Sequence, residues 1–251
     1  MFDDLKTAVG WIMAGKVVVD GVVVTKPGTP VKPSARITLR GTLLRFASRG
    51  GYKLEHALTR FAIDLSGRVC LDAGASTGGF TDCMLQRGAR LVYAVEAGFG
   101  QLRGRLASDP RVVSMERTNI SDVRPERLDP AIDFVAIDLS YLSLVTAVPI
   151  AAALFGEKPV EIVGLIKPLY EGLAQHEMSD RGALARVLHA LFERLRASGF
   201  AALDACASPI LGGRGAVEFL AHIRDATAPP RPEALVARAL DDLDQHPPRE
   251  P

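Results

Sequence analysis

Residues 69–80 read Val-Cys-Leu-Asp-Ala-Gly-Ala-Ser-Thr-Gly-Gly-Phe, and this stretch decides the fold. The apolar run that ends at Asp72 predicts a buried strand. Gly74, Gly78 and Gly79 predict a loop whose backbone a ligand can approach closely, because glycine has no Cβ. A helix should follow the loop, with its free N–H groups facing the same crevice. We therefore expect a strand, a loop and a helix that together form a nucleotide-type pocket.

The spacing of these glycines narrows the kind of ligand. It is not the G-x-G-x-x-G of dinucleotide enzymes, and no G-K-[ST] follows as in a phosphate-binding P-loop. A ligand without a pyrophosphate is therefore favoured. Asp72 ends this strand and Glu96 ends the next, where a carboxylate can accept both hydroxyls of a ribose. Two carboxylates suit a cationic ligand. Alternatively, Asp72 caps the next helix and Glu96 is a solvated strand end.

The rest of the chain after residue 44 alternates strands with helices, which predicts a parallel α/β sheet. A final antiparallel pair is expected around Gly212 and Gly213, and one short helix near residues 233–243 is expected before a frayed end. The predicted parallel strands are 68–72, 91–96, 112–115, 134–138 and 161–167, and the antiparallel pair is 206–208 and 217–223.

Composition limits the class of protein. The chain has 251 residues, 48% of them apolar, with a net charge of +1, so global disorder is excluded and one medium domain with a small appendage is expected. Three cysteines without a C-x-x-C pair and five histidines without ligand spacing predict neither disulfides nor a metal site. The acidic start of the chain lacks the pattern of a secretory signal, which favours the cytoplasm. The uncharged stretch 139–156 has polar interruptions that favour a buried loop and helix over a membrane span.

Charge is unevenly distributed along the chain. Residues 1–60 hold ten Lys/Arg and four Asp/Glu, a local +6, and the totals leave twenty and twenty-five, or −5, for the remainder. A basic front on a mildly acidic body predicts an anionic partner at the front. A solvated surface is the alternative.

The front of the chain also has a recognisable pattern. Residues 2–14 have the apolar spacing of a helix, residues 16–25 place two β-branched runs around Asp20-Gly21, and residues 36–40 predict another strand. This order, with A-G-K-V-x-V-D-G and V-T-K-P-G, resembles the S-four-type RNA-binding module. That family has two helices before the hairpin, and one fits here, so we expect a shortened module or a start upstream of Met1.

Five further motifs carry a more specific resemblance. In order they are D-A-G-A-S-T-G-G-F-T, V-E-A-G-F-G-Q-L, E-R-T-N-I-S-D, D-L-S-Y-L-S-L and K-P-L-Y-E. Over residues 11–223 the chain is similar to TlyA-type methyltransferases, which belong to the FtsJ-like group. The resemblance implies a Rossmann-like α/β methyltransferase sheet with a small N-terminal α+β RNA-binding module. It also implies S-adenosyl-L-methionine as cofactor and a ribose 2'-hydroxyl of ribosomal RNA, expected to be a cytidine's, as the methyl acceptor.

The resemblance assigns binding roles to named residues. Glu96 would hold the ribose of the cofactor and Asp122 would lie near the adenine. The remaining cofactor residues implied are Asp72, Gly74, Ala75, Ser76, Thr77, Gly78, Gly79 and Phe80. For the RNA backbone we expect contacts from Lys6, Lys16, Lys26, Lys32, Arg36, Arg45 and Arg49.

Methyl transfer to a sugar hydroxyl needs a base or a charge beside that hydroxyl. FtsJ-like enzymes use a Lys-Asp-Lys-Glu tetrad, whose counterparts here are Lys53, Asp138, Lys167 and Glu218. Asp138 and Lys167 follow predicted parallel strands, so the pattern alone places them at one sheet edge. Only the resemblance adds Lys53 and Glu218. We expect Lys167 to take the proton, since burial and a second ammonium favour a neutral lysine.

These inferences divide the chain into an RNA-binding module at 1–43, a methyltransferase domain at 44–226 and a C-terminal tail at 227–251. The expected partner is ribosomal RNA or a ribosomal subunit, without membrane or metal. Two other functions stay open: a catalytically silent RNA-binding or ribosome-assembly protein, and a haemolysin-like membrane-active protein. The chain departs from the family at Leu169, Tyr170 and Ala216, which border the substrate side and bear on target choice.

Overall fold

The computed structural model describes residues 5–41, 44–225 and 230–248. It divides the chain into two compact units, Met1–Arg45 and Phe46–Pro251. The division separates the basic front of the chain from the α/β region.

The first unit is a helix followed by a three-stranded antiparallel sheet in which the first strand lies between the other two. Asp20 and Gly21 have φ angles of 49° and 85°, the left-handed pair that a two-residue hairpin turn requires, so the predicted hairpin is confirmed. The Asp20 carboxylate accepts a hydrogen bond from the backbone N–H of Arg36 at 2.8 Å and fixes the third strand beside the turn. The elements are α1 Leu5–Met13, β1 Val17–Val19, β2 Val22–Val24 and β3 Ile37–Leu39.

The second unit is a seven-stranded sheet with helices on both faces. Its strands are β4 Val69–Ala73, β5 Leu91–Glu96, β6 Val112–Glu116, β7 Phe134–Ile137, β8 Glu161–Ile166, β9 Ala201–Ala207 and β10 Phe219–Arg224. Its helices are α2 Gly50–Arg60, α3 Gly79–Gln86, α4 Gly104–Ala107, α5 Leu144–Ala152, α6 Arg181–Ala197 and α7 Pro232–Gln245.

The sheet order is β6-β5-β4-β7-β8-β10-β9, with the first five strands parallel and the last two antiparallel to their neighbours. One apolar core lies between the sheet and helices α5, α6 and α7, and a second lies between the sheet and helices α2 and α3. The predicted α/β sheet is therefore confirmed. All five parallel strands end at one edge, which is where sites on such sheets form.

The antiparallel pair and the helix expected near the C-terminus are both present, but β9 and the helix are longer than predicted. The strand expected at 206–208 is β9, which begins at Ala201. Its first residues were not predicted because the sequence Ala-Ala-Leu-Asp-Ala-Cys-Ala has weak β-propensity and forms a strand only through pairing with β10. The short tail helix is α7, of 14 residues, which buries Leu235, Val236 and Ala239 in the core. Residues 232–245 are therefore part of the second unit's core and not a separate tail.

The uncharged stretch 139–156 forms the helix α5 and a short 3-10 turn, as the polar interruptions predicted. Among the described residues, no helix has both the length and the apolar content needed to cross a membrane.

A charged cluster lies at the opposite edge of the sheet, where β8 begins. The Glu161 carboxylate, 12% exposed, pairs with the Arg68 guanidinium and accepts a hydrogen bond from His222 Nε2 at 3.1 Å. The bond from His222, together with the charge of Arg68, lowers the pKa of Glu161 from 4.5 to about 2 against the effect of burial. The carboxylate is therefore more favourable in the folded protein than in the unfolded chain.

We expect Glu161→Gln to lower the free energy of unfolding at pH 7 by up to about 3 kcal/mol. Because the folded pKa of Glu161 lies below its ordinary value, its stabilisation is complete above that value and is lost as the pH falls toward 2. The difference in the free energy of unfolding between wild type and variant should therefore be about half as large at pH 3 as at pH 7. Urea denaturation at both pH values measures it. An equal difference at the two pH values would assign the effect to packing.

Candidate active site

The loop after β4 fits tightly between its neighbours. Gly74 and Gly78 both have a φ of 94°, a left-handed conformation that favours glycine. A Cβ at Gly74 would collide with the backbone carbonyl of Asp138, and a Cβ at Gly79 would collide with the Ser48 hydroxyl. The glycines are therefore needed both for the turn and for close approach of α2 and the end of β7.

A cavity of about 240 Å³ lies above this loop. It is lined by Ala75, Ser76 and Phe80 of the predicted cofactor segment and by Lys53 and Asp138 of the predicted tetrad, among others. Thr77 and Gly78 instead hold the loop against the segment that follows β5. The Thr77 carbonyl accepts the Arg103 N–H at 3.4 Å, and Gly78 packs against Leu102 and Leu106.

The Glu96 carboxylate closes one end of the loop. It accepts hydrogen bonds from the backbone N–H of Ser76 at 2.9 Å, from that of Gly98 at 2.6 Å and from Gln101 Nε2 at 3.3 Å. These bonds hold the carboxylate against the loop, which a solvated strand end would not require. A ligand hydroxyl that reaches Glu96 would take the place of the weak, exposed Gln101 contact.

A narrow cleft beside Glu96 extends the groove. Its lining includes Gly74, Ile120 and Tyr141. Burial raises the pKa of Tyr141, and the charges of Glu96 and Asp122 act in the same direction. Asp122 is exposed and ends a 3-10 turn that begins at Ile120; Ile120 lines this cleft, whereas Asp122 acts on Tyr141 through its charge.

Asp72 is placed differently from the other predicted cofactor residues. Its carboxylate is fully buried, with Oδ2 accepting a hydrogen bond from the Thr81 hydroxyl at 2.6 Å and Oδ1 without a partner among the described residues. Burial raises its pKa to about 7, opposed by the Thr81 bond and assisted by the charges of Asp138 and Glu96. Asp72 thus supports the start of α3 from beneath the loop, which resembles the helix cap considered as the alternative, and it lies within electrostatic reach of Asp138 and Glu96.

The four predicted tetrad residues come together as two ion pairs. Lys53 Nζ pairs with Glu218 Oε2, and both side chains are buried, at 10% and 6% exposure. Lys167 Nζ lies 2.6 Å from Asp138 Oδ1 and also donates to the Leu139 carbonyl and the Ser140 hydroxyl, each at 3.1 Å. Burial raises the pKa of Glu218, with the Lys53 charge opposing it and the charges of Asp138 and Lys167 also acting on it. The two pairs are therefore electrostatic neighbours.

Sheet topology explains this meeting. Asp138 and Lys167 follow the carboxyl ends of β7 and β8. The antiparallel β10 begins opposite the end of β8, with Phe219 paired to Ile166, so Glu218 lies at the same edge. The Asp82 carboxylate accepts the Ala47 N–H at 2.6 Å and so ties the segment before α2 to α3.

A second cleft, of about 460 Å³, opens on the other side of the tetrad. Its walls include Lys167, Glu218, Tyr170 and Arg214. Tyr170 is 51% exposed, and its ring centroid lies 5.7 Å from Lys167 Nζ. Two ammonium groups and two carboxylates thus stand between two clefts, an arrangement that can align a hydroxyl from one cleft with a donor in the other.

Several residues that shape the site were not assigned a role from the sequence. Ser140 and Gln101 lie inside quoted motifs, but nothing in their spacing shows that they bind Lys167 and Glu96. Ser48 has no sequence signal, and Gly212 was interpreted only as a turn. In the structure Gly212 packs directly against the Glu218 carboxylate.

The residues predicted to bind RNA lie in both units. Lys16, Lys26, Lys32 and Arg36 are exposed on the first unit, and Lys16 Nζ lies 5.2 Å from the ring centroid of Trp11. Arg45, the last residue of the first unit, is also exposed. Arg49 of the second unit lines the cavity above the loop and donates to the Leu211 carbonyl at 3.2 Å. The backbone of Lys6 lies in α1, and its side chain is outside the described part of the structure.

Comparison with known proteins agrees with this geometry. The FtsJ-like methyltransferase family model matches residues 46–224, and the S4 domain model matches residues 5–37. The chain is 40% identical over 240 residues to the 16S/23S rRNA (cytidine-2'-O)-methyltransferase TlyA of Mycobacterium tuberculosis, covering 92% of this chain and 87% of the relative. It is 38% identical to Hemolysin A of Brachyspira hyodysenteriae, covering 84% of this chain and 90% of the relative.

Solved structures include a similar chain from Streptococcus thermophilus that carries a hemolysin name. Its identity to this chain is 35% and its TM-score is 0.72, covering 97% of this chain and 93% of the other. This chain is therefore similar both to a protein named as an rRNA methyltransferase and to proteins named as hemolysins.

Two adjacent glycines test how the Lys53–Glu218 pair is held. A Cβ at Gly212 would displace the Glu218 carboxylate, whereas a Cβ at Gly213 meets no atom within 4 Å. We expect Gly212→Ala to lower the free energy of unfolding by about 1–3 kcal/mol, and Gly213→Ala to change it by less than about 0.5 kcal/mol. Thermal unfolding measures both. Equal stability of the two variants would contradict the close packing of Gly212 on Glu218.

Proposed function

Because the chain belongs to the FtsJ-like methyltransferase family, we propose that it is an S-adenosylmethionine-dependent enzyme that methylates a cytidine 2'-hydroxyl of ribosomal RNA. The observation that carries the proposal is the meeting of Lys53, Asp138, Lys167 and Glu218 between the glycine-loop cavity and a second open cleft. The relative from Mycobacterium tuberculosis supplies the substrate class.

The cavity over the loop fits an adenosyl ligand. Gly74, Gly79 and Phe80 line the cavity, and the Glu96 carboxylate at the end of the loop is placed to accept ribose hydroxyls. The carboxylates of Glu96 and Asp138 line a groove that favours a cation and disfavours phosphate. When bound, S-adenosylmethionine supplies the methyl group as part of a cationic sulfonium. Ala75, Ser76 and Phe80 would complete its binding site, and Asp122 would lie near the adenine.

We assign the removal of the 2'-hydroxyl proton to Lys167. Its Nζ is held by Asp138, the Leu139 carbonyl and the Ser140 hydroxyl at the border of the second cleft. As a neutral amine it would take the proton of the 2'-hydroxyl while the oxygen displaces the sulfur from the methyl carbon, so that the carbon–sulfur bond would break as the carbon–oxygen bond forms and the donor would leave as a neutral thioether. Asp138 would position Lys167, since its Oδ1 lies 2.6 Å from the nitrogen and Asp138 lines the cavity above the glycine loop, whereas Lys167 lines the second cleft. Lys53 and Glu218 would orient the ribose, and Lys53 adds positive charge that favours a developing alkoxide.

The RNA is expected to bind through both units. The exposed cations of the first unit, in a segment that matches the S4 domain, support contacts to the phosphate backbone. The Tyr170 ring and the Arg214 guanidinium border the second cleft and could pack against the acceptor nucleotide. We propose ribosomal RNA or a ribosomal subunit as the partner and the cytoplasm as the place of action.

The hemolysin names of two relatives raise a different function, membrane activity. The described helices do not support it, since none could cross a membrane. Leakage of dye from liposomes by the purified protein, without any binding of adenosyl ligands, would favour it. A catalytically silent RNA-binding protein would bind the cofactor or the RNA but leave no methyl mark.

Mapping of 2'-O-methyl marks on ribosomal RNA, with and without the protein, tests the proposed function. We expect a cytidine mark that appears only when both the protein and S-adenosylmethionine are present. The absence of any new mark on free RNA and on isolated subunits would contradict the proposal.

The role of Lys167 is tested by Lys167→Arg, which keeps the positive charge but cannot act as a base. We expect the single-turnover rate of methylation to fall by at least about 100-fold, with cofactor affinity changed little. Lys158→Arg is the matched control, because Lys158 Nζ also pairs with an aspartate, Asp133, at 2.7 Å, at the far edge of the sheet. Full activity of Lys167→Arg would remove Lys167 as the base.

The role of the basic front is tested by Lys26→Gln and Lys32→Gln. We expect RNA affinity to fall steeply with added salt, and each substitution to reduce the slope of log affinity against log salt by about one. Lys158→Gln is the control, because it removes a charge from the second unit away from both clefts. Filter binding at several salt concentrations measures the slopes. A flat response in the wild type would contradict backbone contacts.

A further inference from the structure

A second cluster of reactive side chains lies away from the two clefts, where α2, β9 and α7 meet. Ligand atoms of His56, Cys206 and Asp242 all lie within 4.8 Å of one another. The three residues come from three separate segments, which explains why no ligand spacing in the sequence revealed the cluster. Among the described residues it is the only group of three or more His, Cys, Asp or Glu side chains this close that could hold a metal ion.

A fourth side chain lies at the rim of the cluster. His246 directly follows the C-terminal end of α7, four residues after Asp242. Its Nδ1 lies 3.2 Å from Asp242 Oδ1. In a tetrahedral zinc site, ligand atoms are roughly 3.3–3.8 Å apart, given Zn–N and Zn–S distances of about 2.0–2.3 Å. The ligand atoms of His56, Cys206 and Asp242, which are up to 4.8 Å apart, would therefore have to move closer together to surround an ion.

The donor set has the chemistry of a transition-metal site. Two imidazoles, one thiolate and one carboxylate suit zinc or cobalt, whereas calcium and magnesium prefer oxygen alone. The charge also favours an ion, because Asp242 is buried, with its side chain 5% exposed, and no lysine or arginine is within ion-pair distance of it among the described residues. Arg60 and Asp204 are the other charged groups that act on Cys206, and Arg60 lies on the exposed face of α2, where solvent screens it.

The surroundings provide support and access. The backbone N–H of Ala207 donates to Asp242 Oδ2 at 2.9 Å, which orients the carboxylate as a second layer of contacts does around known metal ions. Cys206 is fully buried, while the side chain of His246 is 69% exposed, so an ion could enter from the His246 side. The cluster thus combines a buried thiol, a carboxylate oriented by a hydrogen bond and an imidazole that is open to solvent.

We infer that His56, Cys206, Asp242 and His246 form a zinc site that joins α2, β9 and α7. Its role is structural: the ion replaces the thiol proton and cross-links the C-terminal helix to the edge strand of the sheet and to α2. The site is distinct from the proposed active site and does not depend on the proposed function.

Titration of the metal-free full-length chain with Co²⁺ and then with Zn²⁺ tests the site. We expect one ion per chain, a thiolate-to-cobalt charge-transfer band in the near ultraviolet and loss of that band when Zn²⁺ is added. Zn²⁺ should also raise the midpoint of thermal unfolding, because an ion that binds only the folded state stabilises it.

Two variants make the test specific. Cys206→Ser should abolish the charge-transfer band, and His246→Ala, at an exposed position that is not needed for packing, should weaken Zn²⁺ binding by at least about tenfold. His189→Ala is the matched control, because His189 pairs with Glu233 at 3.1 Å on the surface without a thiol nearby, and it should change neither readout. A wild type without the band, a band retained in Cys206→Ser, or unchanged affinity in His246→Ala would overturn the four-ligand site.

Discussion

The ion pair between Lys53 and Glu218 is the contact on which the site depends. The two residues are 165 positions apart, and both are buried, so neither charge can be left without the other. Loss of one partner from a buried pair costs about 3–5 kcal/mol. The pair therefore ties α2 to the start of β10 and holds the two clefts on either side of it. Gly79 and Gly212 allow it, because side chains there would collide with Ser48 and with Glu218.

Sheet topology places the other half of the site. Asp138 and Lys167 follow adjacent parallel strands, and β10 runs antiparallel to β8, so its first residues lie beside Lys167. A parallel β10 would have carried Glu218 to the far edge, where Glu161 lies. The change in strand direction is thus what completes a mixed set of two ammonium groups and two carboxylates at one edge.

The sequence predicted the parts of this structure that local chemistry controls. The glycine loop, the Asp20-Gly21 turn and the five parallel strands each carry their own signal, in glycine spacing or β-branched runs. The alanine-rich β9 and the length of α7 were missed because partners far along the chain decide them. The buried position of Asp72 was missed for a similar reason: a strand-end carboxylate gives no sign of whether it points into a groove or beneath a loop. The bonds of Ser140 and Gln101 likewise depend on side-chain direction.

The position of α7 also bears on how the protein is made. The helix covers β9, and β9 in turn flanks β10, so the sheet is finished only after residues 201–245 have left the ribosome. A nascent chain that has emerged as far as β8 holds the glycine loop, Asp138 and the first lysine but has no glutamate to neutralise that lysine. The four side chains of the predicted tetrad can therefore meet only late in folding, after the last two strands have paired with β8.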